Sequence, residues 1–191
     1  RCINAFYPSS RAFEDNLAEA KRAFSLAGLP CIFRITPFVN NGALDDQLDA
    51  LGYVKYDAAD VQVMDFDALD VSHVRETAAR FSLETNLRTA AQWVAEMRGD
   101  NAVEMAGLAE RWRLSAANVL PSFAFDANNL RVARSVVIRE NDHIGIFDVG
   151  TDAAQVNKGY ATALLAQQLC DAKATGARVA YLQVRSDNPA R

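Results

Sequence analysis

The sequence predicts an α/β fold, a mixed and mainly antiparallel sheet flanked by helices, on three observations. Apolar residues recur every three or four positions in 11–27, 84–118 and 159–174, the spacing of one buried helix face. Short runs rich in Val and Ile lie between and after these stretches, as strands do. Of these runs, 130–139 and 143–149 are joined by Glu140-Asn141-Asp142, a hairpin-turn composition that pairs them antiparallel.

Taken in order, the first helix places Phe13, Leu17, Ala20, Phe24 and Ala27 on one face and stops at Gly28. Residues 31–35 read as a short strand ended by Thr36-Pro37, and Asn40-Asn41-Gly42 as a polar turn. A second helix is expected over 43–51, ending at Gly52-Tyr53, with Asp45 and Asp46 in its first turn where they complement the dipole. Val61 and Val63 alternate as a strand that runs into an acidic linker over 65–70. Beyond it, Leu87, Ala91, Val94, Met97, Leu108 and Trp112 form a helical pattern that Gly99-Asp100-Asn101 divides into two helices. After the hairpin come a turn over 150–158, a helix over 159–174, Gly176 and a strand over 179–184.

Two stretches, 12–41 and 160–188, share one plan of amphipathic helix, glycine stop, short strand and polar turn, with a slip of one residue. The plan divides the chain into an incomplete N-terminal unit, 1–70, and a fuller C-terminal one, 71–191. On the scale of about 150 residues per domain, 191 residues correspond to about 1.3 domains, in keeping with a domain and part of another. The chain starts at Arg1 without methionine and stops within a motif, so both units are expected to be clipped.

Half of the residues are hydrophobic and 23% are charged, which excludes a disordered or low-complexity chain. No apolar run approaches the roughly 18–20 residues of a spanning helix, so no membrane partner is expected. A net charge of -4 with scattered basic residues lacks the positive stripe that binds nucleic acid. Cys2, Cys31 and Cys170 are odd in number and far apart, which fits reduced, buried thiols and a cytoplasmic location. His73 and His143 have no Cys or His at ligand spacing, so no metal site is expected.

The chemistry concentrates at Gln155-Val156-Asn157-Lys158-Gly159-Tyr160-Ala161, where a strand delivers the chain through a turn into a helix. A helix start offers up to four unpaired amides and about half a positive charge, suited to a phosphate or pyrophosphate. Glycine at 159 and alanine at 161 let such a ligand approach the backbone, and Lys158 adds a screened cationic contact of roughly 1 kcal/mol or less. The turn is neither a nucleotide P-loop nor a Gly-x-Gly-x-x-Gly dinucleotide fingerprint.

With its hairpin before and Leu182, Val184 and Asn188 after, this stretch resembles the GNAT acetyltransferase superfamily. The family's Arg/Gln-x-x-Gly-x-Gly/Ala motif falls on residues 156–161 and its L-x-V-x-x-x-N strand on 182–188. The resemblance implies acetyl-CoA as co-substrate, held by backbone at Val149, Gly150 and Thr151, by Val156, Asn157, Lys158, Gly159, Tyr160, Ala161 and Thr162, and at Asn188. Val156 departs from the usual Arg or Gln, a contact made largely by backbone in the family. The usual general acid, a Tyr after the motif's Asn, falls beyond Arg191. Leu51-Gly52-Tyr53 matches the family's Leu-Gly-Phe/Tyr ending, so the N-terminal unit resembles a degenerate copy in a tandem GNAT fold. With Tyr7-Pro8-Ser9-Ser10 in place of a glycine turn, that copy is expected to bind no cofactor.

The implied reaction moves an acetyl group from acetyl-CoA to an amine by direct attack in a ternary complex, Cys170 lying mid-helix away from the turn. The different-class alternative is a non-catalytic acyl-CoA-sensing or interaction module. Asp148 is the candidate base, weighed against a structural or substrate-orienting carboxylate; where many relatives carry Glu, this chain has Phe147. Trp93 and Trp112 are expected in the core or lining an acceptor pocket formed by 84–118 and the first unit, Tyr181 in the sheet, and His73 and His143 in solvent. The acceptor's identity and the oligomeric state are not legible.

Overall fold

The computed structural model describes residues 2–188 except 6, 8, 40, 41, 73 and 75–78. The Asn40-Asn41 turn, Pro8, His73 and the last three residues therefore lie outside the described part. The chain forms two compact units, Arg1–Asp57 and Ala58–Arg191.

The first unit contains β1 (Ile3–Asn4), α1 (Phe13–Leu26), β2 (Phe33–Arg34) and α2 (Leu44–Ala50). β1 and β2 pair in parallel, Ile3 with Phe33 and Asn4 with Arg34, so the helix between them is a crossover. Buried Leu17, Leu44 and Leu48 pack with Phe13, Phe33, Val39 and Tyr53. The Phe33 and Tyr53 rings meet edge to face at 5.7 Å, which brings the Leu51-Gly52-Tyr53 ending onto the strand. Asp45 and Asp46 do occupy the first turn of α2, and Asp45 accepts a bond from Lys55 Nζ at 2.8 Å. The strand expected over 31–35 is only Phe33–Arg34.

The second unit is a six-stranded sheet built from β3 (Ala59–Asp65), β4 (Arg80–Leu83), β5 (Asn118–Phe125), β6 (Arg131–Glu140), β7 (His143–Thr151) and β8 (Val179–Arg185). Their spatial order is β3-β8-β7-β6-β5-β4. β3 runs antiparallel to β8 from Ala59↔Arg185 to Asp65↔Val179. The division between units therefore precedes Ala58, not residue 70 as expected, because the Val61-Val63 strand is hydrogen-bonded into the larger sheet.

α3 (Leu87–Arg98) and α4 (Ala102–Arg113) occupy the helical stretch expected over 84–118. Asn86 caps α3 by accepting from the Arg88 and Thr89 amides, and left-handed Gly99 ends it. Asn101 opens α4 with a reciprocal capping box through Glu104. Ala90, Ala91, Val94, Leu108 and Trp112 pack on Phe123, Phe125 and Val136, on one face of the sheet. α5 (Tyr160–Ala174) covers the other face, where Leu164 meets Ala124, Val132 and Ala133. Alternate residues of β5, Phe123 and Ala124, thus serve opposite layers.

Candidate functional site

β6 and β7 form the expected hairpin, with Asn141 in the left-handed region at φ +56°. Their register slips between Arg134↔Gly150 and Val136↔Phe147, so Asp148 and Val149 together oppose Ser135. This is a β-bulge, which bends a strand and re-aims its side chains. Asp148 takes the bulge's left-handed position at φ +52°, one that Asp tolerates better than most residues. On its other edge β7 pairs in parallel with β8 from His143↔Val179 only as far as Ile146↔Leu182. β8 continues to Arg185 against β3, so beyond Ile146 the two parallel strands part company.

The chain leaves β7 at Thr151 and Asp152, whose amide bonds Val132 O at 2.9 Å and whose side chain caps Ala154. After one 3₁₀ turn, Asn157 at φ +61° and Gly159 at φ +83° reverse the backbone into α5. Gly159 is the N-cap of α5 and supplies no side-chain bond. Ala163 N–H is the first amide returned to the helix, reaching Gly159 O at 2.9 Å. Among the described residues the amides of Tyr160, Ala161 and Thr162 have no acceptor, and they stand at the macrodipole's positive end. Val156 is half-exposed, and Lys158 donates to Gln155 Oε1 at 2.8 Å, which holds its ammonium over the turn.

Four charged side chains meet beside the bulge. Arg98, the last residue of α3, donates Nη1 to Asp148 Oδ1 at 3.1 Å and Nε to Asp100 Oδ2 at 3.1 Å. Arg134 pairs across the sheet with Phe123 and Gly150, on the α3 side. A Cβ built on Gly150 would meet Arg134 Nη1 at 2.5 Å and Cζ at 2.6 Å, so the guanidinium lies flat over that glycine. Burial pulls the Arg134 pKa down, the Asp148 charge opposes this, and the Arg98 charge adds to it. Arg98, Asp100 and Arg134 were not singled out from the sequence; only Arg134, a charge inside the apolar run 132–138, carried a signal.

The remaining predicted residues divide clearly. Trp93, partly buried, packs edge to face on Phe123 at 5.1 Å with Arg131 over its ring, and Trp112 is buried in the core cluster beside it. Tyr181 meets Phe147 edge to face at 6.2 Å, each ring partly exposed. His143 is exposed beside Asp142. Asn188 follows β8, its amide on Arg185 O at 3.0 Å. Cys2, Cys31 and Cys170 are unpaired, but half-buried where full burial was expected.

A recess of about 240 Å³ between Leu83, Leu87, Trp112 and Leu120 is lined by Trp112, one of the expected pocket residues, and neither it nor another of about 300 Å³ beside Ser122 and Gln167 contains Asp148 or the predicted cofactor-binding residues. Among the described residues no group of three or more His, Cys, Asp or Glu could hold a metal, and no helix is long and apolar enough to cross a membrane.

A bulged strand, a parallel neighbour that departs from it and an uncapped helix start between them coincide with a family match. Residues 61–191 match the model of the Acetyltransferase (GNAT) family, and the chain belongs to that family. No curated protein is a significant match. The fold resembles a GCN5-related N-acetyltransferase from Sphaerobacter thermophilus at TM-score 0.68 and 14% identity, over 93% of this chain and 60% of that one. It also resembles a GCN5-related N-acetyltransferase from Kribbella flavida at TM-score 0.60 and 14% identity, over 88% and 63% of the two chains. A tandem GNAT protein from the clavulanic acid biosynthesis pathway gives TM-score 0.64 and 15% identity, over 95% and 64%. The chain thus spans 60–64% of the length of these three structures.

Proposed function

We propose that this protein is an N-acetyltransferase that moves an acetyl group from acetyl-CoA to an amine by direct attack within a ternary complex. The observation that carries the reading is the helix start at Gly159, with the amides of Tyr160, Ala161 and Thr162 unpaired at the end of a strand that has parted from its parallel neighbour. The donor set fits the group: unpaired amides suit a pyrophosphate, and the β7 backbone freed beyond Ile146 suits the amide-bearing pantetheine arm. Acetyl-CoA would supply an activated thioester.

Val149, Gly150 and Thr151 would line the arm, while Val156, Asn157, Lys158, Gly159, Tyr160, Ala161 and Thr162 surround the phosphates and Asn188 lies at the far strand end. The acceptor nitrogen attacks the carbonyl carbon, the carbon–sulfur bond breaks, and the thiolate takes a proton while the new amide nitrogen gives one up. A strand-end amide at Val149 or Gly150 is the oxyanion donor in this scheme. Residues 147–162 contain no cysteine, which favours direct attack over an acyl-enzyme. Asp148 acts as a positioning carboxylate rather than the base, because Arg98 already occupies it.

The first unit fits a degenerate copy of the second. β1-α1-β2 repeats the parallel β7-α5-β8 plan, and the tandem GNAT structure is matched over 95% of this chain. Calorimetric titration with acetyl-CoA tests both statements: one site per chain and release of CoA with an amine support them. Saturable binding without turnover of any amine would favour the sensing module instead.

A further inference from the structure

Resting on the acetyl-transfer reading, we infer that Arg134 is a specificity-determining residue which binds a carboxylate of the acceptor, so that the acceptor is an amino acid or a similar amine bearing an acidic group. Arg134 Nε is buried and has no acceptor. Among the described residues the guanidinium also has no ion-pair partner, although Asp148 and Asp100 are both near enough to act on its charge. Arg98 bridges those two carboxylates through different nitrogens, so that neither forms a direct ion pair with Arg134 although the four charges balance.

A half-buried cation whose Nε has no acceptor and whose carboxylate neighbours are engaged by another arginine gains little for the fold, and a hydrophobic side chain of similar size would pack there at less desolvation cost. Gly150 has no Cβ, and the guanidinium lies over the space a Cβ would occupy. The location indicates the ligand. Arg134 lies on the α3 face beside the bulge, next to the β7 segment that has left β8, whereas the unpaired amides of α5 start the helix on the opposite face. An acceptor amine directed at the bulge would have the Arg98-held carboxylate of Asp148 on one side and the Arg134 fork on the other. That arrangement is complementary to a group pairing nitrogen with carboxylate, since guanidinium binds carboxylate through parallel N–H bonds.

The test compares L-α-amino acids with their carboxamides as acceptors, for the wild type and Arg134→Met, by rate of CoA release. The expected result is a kcat/KM preference for the acids of about tenfold or more in the wild type, erased in Arg134→Met through KM, with acetyl-CoA affinity unchanged. The melting temperature of Arg134→Met should be equal to or above that of the wild type. Equal rates for acids and amides in the wild type, loss of acetyl-CoA binding in the variant, or a melting temperature lowered by several degrees would each overturn the inference. The last two outcomes would assign Arg134 to the cofactor or to the fold. If no amine is acetylated, the transfer reading fails by itself. The anion site is then read by thermal shift, where acids but not amides should stabilise the wild type and neither should stabilise Arg134→Met; no shift with acids would sink it.

Discussion

Arg98 Nη1 donates to Asp148 Oδ1 at 3.1 Å, linking the C-terminal residue of α3 to the left-handed position of the β7 bulge. The two residues are 50 positions apart in sequence. The bond fixes a carboxylate at the point where β7 leaves its parallel neighbour, and an arginine there also sits favourably at the helix C-terminus.

The pair separates two roles for Asp148. Asp148→Asn retains the tolerance for positive φ and one acceptor for Arg98, so kcat should fall less than about tenfold with an unchanged pH profile. A general base contributes about 10²–10⁴ in rate. A loss of that size, with the acid limb of the kcat profile removed, would restore the base assignment.

Arg131 ties the sheet to α3 through Glu96 at 2.6 Å, and this bond, helped by Gln92, lowers the Glu96 pKa below 4.5. A carboxyl depressed on folding adds stability above its unfolded value, near ~4.3, and loses it as pH falls through the folded value. Thermal unfolding between pH 3 and 5 should therefore show a shallower acid slope for Glu96→Gln than for the wild type, with a lower melting temperature at neutral pH. Identical slopes would mean that the bond is not formed in solution.

Phe123 is fully buried between α3, α4 and the sheet, against Trp93. Phe123→Ala should cost about 3–5 kcal/mol, a drop of roughly 10 °C in melting temperature for a unit of this size. A change of a degree or two, measured by calorimetry, would place the core elsewhere.

How much of this was legible follows from the range of the interactions. The hairpin, the helix start at Gly159 and the caps at Gly28 and Gly99 are local, written in a few adjacent residues, and they stand where expected. β5 was missed because Pro121 interrupts its pattern and both faces are buried, which removes alternation. β4 is a four-residue strand that exists by pairing with β5. The unit boundary was misplaced for the same reason, since the pairing of β3 with β8 spans more than 100 residues. Asp148 was singled out as a candidate base, but its ion-pair partner Arg98 was not, because only the tertiary fold brings the two together.

The central claim is that an acyl-CoA pyrophosphate sits on the α5 start, and calorimetric titration of acetyl-CoA into the wild type, Gly159→Asn and Gly159→Glu tests it most directly. Asn accepts the left-handed N-cap position at φ +83° without adding charge, whereas Glu puts a carboxylate against the phosphates. The account predicts saturable binding to the wild type, affinity within about tenfold for Gly159→Asn, and no detectable heat of binding for a folded Gly159→Glu. Wild-type affinity in Gly159→Glu, or no binding to the wild type at high micromolar concentration, would contradict it.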